Sequence, residues 1–194
     1  MKERPILFSA PMVRALLSGT KTQTRRSGKP VRHPDLGNMY DIGALAIEHE
    51  PQHVIDRACP YGQPGDRLWV RETWCCVHGI PNAKGKPHPD DFVRYRADIG
   101  PGEDVITNVK AWKPSIHMPR VYSRILLEIV AIRVERLQSI DEVDALYEGA
   151  VRDELAGLFG GYVAGYRAVW ESINGPGAWD KNPWVWVIEF RRIS

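Results

Sequence analysis

Cysteine is scarce in this chain. Only Cys59 and the adjacent Cys75 and Cys76 occur among 194 residues, an odd count that argues against a disulfide framework and for a reducing compartment. No apolar run approaches the roughly 20 residues of a membrane span. The opening residues also lack the charged, apolar, small-residue order of a secretory signal. The expectation is a cytoplasmic protein with no membrane partner. Metal-ligand spacing is missing too: His78 and His88 stand among prolines without the paired cysteines or histidines of a zinc site. Neither a metal nor an organic cofactor is expected. Internal repeats are absent, and the sequence carries no signal for an oligomeric state.

Net charge is small as well, +2 in total, but it is unevenly distributed. Residues 1–32 hold eight Lys and Arg against one acid, a net +7 that leaves −5 for the remainder. Such a segment either presents a basic face to a phosphate-bearing partner or is an ordinary solvated surface. A hydrophobic content of 43% over this length supports one domain with an ordinary core.

What is present is a chain of short, mixed elements. Ile6-Leu7-Phe8 reads as a strand, followed by Ser9 as a cap, Pro11 at an early helix position, and a helix to about Ser18. Residues 27–65 are rich in Pro, Gly and His and read as a loop-rich insertion, with residues 39–48 its only strand or hairpin signal. Residues 77–112 read as a second insertion, with a strand at residues 92–97. Between them, Arg67-Leu68-Trp69-Val70-Arg71-Glu72-Thr73-Trp74 alternates so that Leu68, Val70 and Glu72 share one face, the inward one. An inward glutamate requires a partner. Residues 123–137 form the clearest strand, long enough to bend around a barrel. Ser139 and Glu142 have capping-box spacing before a helix that ends near Gly149. A second helix covers about residues 155–173, and Pro183-Trp184-Val185-Trp186-Val187-Ile188-Glu189-Phe190 is a terminal strand. The fold class is α+β, built on a small, curved, mostly antiparallel sheet.

The densest chemistry lies in Lys21-Thr22-Gln23-Thr24-Arg25-Arg26: an amine, two hydroxyls, an amide and two guanidiniums. Following a helix closed by Gly19, it reads as a helix end passing into a loop. On local chemistry alone, Lys21 and Thr24 simply finish that helix, because lysine suits a C-terminal turn.

Four segments together resemble the ASCH-domain group, relatives of the PUA-like β-barrels, and especially its larger phage-type members. They are Phe8-Ser9-Ala10-Pro11 with Gly19-Thr20-Lys21-Thr22-Gln23-Thr24-Arg25-Arg26, then Gly65-Asp66-Arg67-Leu68-Trp69-Val70-Arg71-Glu72-Thr73-Trp74, then Ile116-His117-Met118-Pro119-Arg120 through Ser123-Arg124, and finally Trp170 with Trp184-Val185-Trp186. The resemblance implies a single ASCH/PUA-like domain over residues 1–194, a barrel with flanking helices, and a cleft for nucleosides or RNA. Small bacterial members of this group deacetylate N(4)-acetylcytidine with a Lys, a Thr three residues on, and a Glu. Carried over, those roles fall on Lys21, Thr24 and Glu72. The substrate would be contacted by Arg25, Arg26, Arg71, Trp74, Arg120 and Ser123.

Amide hydrolysis needs a nucleophile, a base and a proton donor for the leaving nitrogen. In one arrangement Glu72 is neutral and donates while a lysine of lowered pKa takes the Thr24 proton. In the other Glu72 is charged and the Lys21 ammonium stabilises the oxyanion. Glu72 could instead pair structurally with Arg25, Arg26 or Arg71. The leading reading is an amidohydrolase acting on an N(4)-acylated cytosine nucleoside or related modified base. The alternatives are a non-catalytic module for RNA, single-stranded nucleic acid or modified nucleotides, and a ribonuclease using Lys21, Glu72 and a cleft histidine.

Overall fold

The computed structural model describes residues 1–76, 93–100, 112–152 and 161–194. Strand β1 (Glu3–Leu7) leads into helix α1 (Ala10–Leu17), which starts after Ser9 with Pro11 in its first turn. The Ser9 side chain makes no capping bond. Val13 and Leu16 are buried, while Arg14 turns outward and donates to the Ala97 carbonyl, as the helical spacing of the apolar residues requires. Residues Gln23–Ser27 form β2, so the dense cluster runs along a strand and not into a loop.

The main sheet adds β5 (Arg67–Arg71), β8 (Leu126–Arg136) and β9 (Trp184–Arg192) in the order β1-β5-β8-β9-β2. Only β1 and β5 are parallel; the other three pairings are antiparallel. β8 carries an irregularity between Ile129 and Ala131, where an extra residue bends a strand. The edge strands β1 and β2 are not paired to each other. One long side chain spans the gap between them: the Arg26 guanidinium on β2 donates to the Leu7 carbonyl on β1 at 2.6 Å.

β9 explains its own continuous apolar run. Trp186, Ile188 and Phe190 face one core with Ile6, Phe8, Leu16, Leu68 and Leu127. Val185 and Val187 face a second core with Leu137, Ala145, Tyr166 and Trp170. A strand buried on both faces has no polar side to alternate with.

Residues 27–65 are more structured than a loop-rich insertion. They hold a hairpin of β3 (Val31–Arg32) and β4 (Met39–Tyr40), then helices α2 (Ile42–Ile47) and α3 (Gln52–Ala58). Ile42, Leu45 and Val54 enter the first core. Asp41 starts α2 by accepting from the Gly43 amide, a local cap signal that the hairpin reading of residues 39–48 passed over. Of the second insertion, the structure describes β6 (Trp74–Cys76) paired with β7 (Val93–Tyr95), and a 3-10 turn over Arg96–Asp98. The remainder of that insertion, and the expected helical start at residues 155–160, lie outside the described residues.

Helix α4 (Glu142–Tyr147) is capped by Asp141, which accepts from the Asp144 amide. The Ser139 capping box is therefore corrected: Ser139 lies in a 3-10 turn. Glu142 serves the next helix, α5 (Tyr162–Asn174), by accepting from the Tyr162 and Val163 amides. A carboxylate at those orphan donors satisfies the start of α5 and ties it to α4. No described helix is long and apolar enough to cross a membrane.

Candidate active site

β2 takes its burial from being trapped between β9 and the helical layer. Thr24 and Arg26 stand opposite Ile188 and Trp186, whereas Gln23 and Arg25 stand opposite Glu189 and Val187 and turn toward α4. There the Gln23 amide donates to the Asp144 carbonyl. Just before the strand, the Lys21 side chain is fully buried. Its Nζ donates to the Gln23 carbonyl at 2.8 Å, the Glu148 carbonyl at 2.7 Å and Glu148 Oε2 at 3.0 Å. Three acceptors around one nitrogen call for three N–H bonds, so the arrangement fits the ammonium. Burial pushes the Lys21 pKa below its ordinary value, against the pull of Glu148; Arg26 and Arg25 add to the lowering.

Glu148 reaches this amine from the end of α4 because Gly149 turns the chain with φ +77°. A Cβ at Gly149 would stand 2.7 Å from the Ala15 Cβ and 3.2 Å from the Lys21 Cβ. Glycine is thus needed both for the left-handed backbone and for the close approach. The other Glu148 oxygen accepts from Arg25 Nη1 at 3.3 Å. Arg25 Nη2 also bonds Glu135, at 3.2 Å, and Asp144. Burial would raise the Asp144 pKa, but Arg25 and Arg133 outweigh it and hold the carboxyl below its ordinary value.

Thr24, Arg25, Arg26 and Glu148 line a cavity of about 240 Å³ together with Tyr61, Tyr166 and Trp170. Thr24 and Tyr166 are each only 2–3% exposed, yet among the described residues no side-chain hydrogen bond engages either hydroxyl. Burial and the nearby Glu148 charge push the Tyr166 pKa well above its ordinary value, keeping the phenol neutral. A second, more apolar cavity of about 490 Å³ shares Met12, Glu148, Tyr166, Val169 and Ile173 with the first.

The strand parity of Glu72 is as expected, and the residue is 1% exposed. Its partner differs from the expected one. No hydrogen bond or ion pair joins it to Lys21 or Thr24; both carboxylate oxygens accept from Arg124, at 2.9 and 3.0 Å. The cause is sheet pairing: Val70 donates to the Ile125 carbonyl, which brings Arg124 beside the residue that follows β5. Burial raises the Glu72 pKa against the opposing effect of Arg124. Glu148 is therefore the carboxylate that meets Lys21. A sequence signal for it existed: an acid in the last turn of a helix opposes the helix dipole and is locally disfavoured.

The expected substrate contacts divide in the same way. Arg25 and Arg26 line the cavity. Arg71 donates to the Met118 carbonyl and stacks on Trp69, Arg120 pairs with Glu3, and Ser123 donates to the Val70 carbonyl. Trp74 is buried with Met118 and Tyr122. These four hold the fold around β5 and β6 and do not line the cavity with Thr24. None of the described histidines lines it either.

The basic segment at residues 1–32 is only partly a free face. Lys21 and Arg25 are buried against acids from later in the chain, and Arg4 pairs with Asp66, so part of the two opposite charge excesses cancels internally. Among the described residues no group of three or more His, Cys, Asp or Glu could hold a metal ion. No protein-family model matches the chain, and no curated protein or solved structure matches it either.

Proposed function

We propose that the protein is an amidohydrolase that removes the acyl group from an N(4)-acylated cytosine nucleoside or a related modified base. Lys21, Thr24 and Glu148 form its reacting set. The observation that carries this reading is the buried Lys21–Glu148 pair, whose Glu148 lines the same cavity as Thr24. Membership of the ASCH group belongs to the same proposal. The side-chain bridge from Arg26 to Leu7 links the two edges of the open sheet and supports a curvature of the PUA-like kind.

The chemistry balances with these groups alone. A proton passes from the Lys21 ammonium to Glu148 along their hydrogen bond, helped by the burial that lowers the Lys21 pKa. Thr24 Oγ1 then attacks the acyl carbon and gives its proton to the Lys21 amine. As the C–N bond breaks, the departing nitrogen takes the proton from Glu148, leaving an acyl-threonine, the free base, the ammonium and the carboxylate. Water repeats the cycle on the ester, releasing the acid and restoring Thr24.

Purified protein should release cytidine from N(4)-acetylcytidine, or the matching product from its deoxy form or from acetylcytosine. Absence of turnover on all three would remove the assignment. One observation favours a second reading, a binding module for modified nucleotides: all three Lys21 donors are already occupied, which suits a structural ion pair. Saturable nucleoside binding without product would decide for it.

A further inference from the structure

We propose that Tyr166 is a further catalytic residue, the donor that meets the acyl carbonyl oxygen of the bound substrate. The inference rests on the amidohydrolase reading and deepens it.

Three observations converge on this hydroxyl. The residue is nine-tenths and more buried and lines the same cavity as Thr24 and Glu148, yet its hydroxyl has no hydrogen bond among the described residues. The hydroxyl oxygen is not among the fully enclosed polar atoms left without a partner, so it stays accessible in a residue that is otherwise buried, where a ligand in the cavity can take its hydrogen bond. The ring is also held in place, with its centroid 6.2 Å from Trp170 and 6.3 Å from Trp179, so the position of the hydroxyl is fixed before any ligand arrives. Burial and the Glu148 charge both favour the neutral phenol, which makes it a hydrogen-bond donor throughout the working pH range.

A preorganised donor of this kind acts where charge develops. As Thr24 Oγ1 bonds to the acyl carbon, the carbonyl π pair moves onto oxygen, and the Tyr166 O–H stabilises it without giving up its proton. When the pair returns and the C–N bond breaks, the hydrogen bond relaxes. Tyr166 also borders the second cavity, so the acyl oxygen would lie between the two chambers.

The test is Tyr166→Phe, which keeps the ring contacts and should melt close to the wild-type temperature. With N(4)-acetylcytidine, kcat should fall about a hundredfold while KM stays within about twofold. Affinity for cytidine, which lacks the acyl oxygen, should be unchanged by calorimetry. A folded Tyr166→Phe with wild-type kcat overturns the role while leaving the amidohydrolase reading intact. If the wild type does not turn over, that reading fails, and binding alone decides the tyrosine. Acetylcytidine bound about tenfold more weakly by Tyr166→Phe, with cytidine unaffected, supports carbonyl donation. Equal affinity, or no binding by the wild type, overturns it.

Discussion

Two buried glutamates in this protein each hold a cation, and they differ in what is left over. Glu72 gives both oxygens to Arg124, whose guanidinium also bonds Asp98 and lies 3.9 Å over the Tyr95 ring. That arrangement is complete: planar fork on carboxylate, stacked on an aromatic face, with its outer side toward solvent. Glu148 divides its oxygens between Lys21 and Arg25, and its partner is a compact ammonium whose pKa responds to burial. It also borders two cavities. An arginine closes a site, whereas a buried lysine paired with a carboxylate that borders a cavity leaves a proton that can move.

The largest effect that would break this contrast is expected from Glu148→Gln. Turnover should fall about a thousandfold, and urea unfolding should show a loss of about 3–5 kcal/mol, because Lys21 and Arg25 are left buried without their shared charge. Glu72→Gln should cost about 2 kcal/mol by the same measurement and leave turnover near wild type. Its pH dependence sharpens the difference. Glu72 has a raised pKa in the folded state, so the stability it contributes is fully present below its ordinary value of 4.5 and is lost as pH rises through the raised value. The melting-temperature gap between wild type and Glu72→Gln should therefore widen in favour of the wild type as pH falls from neutral to about 4.5.

Gly149→Ala is expected to follow, costing about 1–2 kcal/mol for the left-handed backbone alone, with a larger proportional loss of turnover because the new methyl pushes on Lys21. The smallest effect belongs to Ser123→Ala, about 1 kcal/mol for its bond to the Val70 carbonyl, with kcat unchanged. A turnover defect there would return the residue to the substrate-binding set.

These contrasts also mark how far the sequence could be read. The inward face of Leu68, Val70 and Glu72 was legible, because strand parity is a local rule. So were α1 after Ser9-Ala10-Pro11, the long β8 and the terminal β9. Which cation Glu72 meets depends on the β5–β8 register, and no local pattern encodes that. The Lys21 cluster was misread as a loop because β2 is short and polar; its burial comes from β9 and α4, both more than a hundred residues away. Glu148 was missed for a related reason. Its partner is 127 residues distant, and its one local mark, an acid at a helix C-terminus before glycine, is a violation of preference. Such violations are where function tends to sit.

The most direct test follows cytidine release from N(4)-acetylcytidine by wild type, Glu148→Gln and Glu72→Gln side by side, each verified as folded by its thermal melt. Turnover by wild type and Glu72→Gln at similar rates, with about a thousandfold less by Glu148→Gln, is the expected result. Near-wild-type turnover in Glu148→Gln, or its loss in a folded Glu72→Gln, would contradict the assignment of Glu148 as the reacting carboxylate.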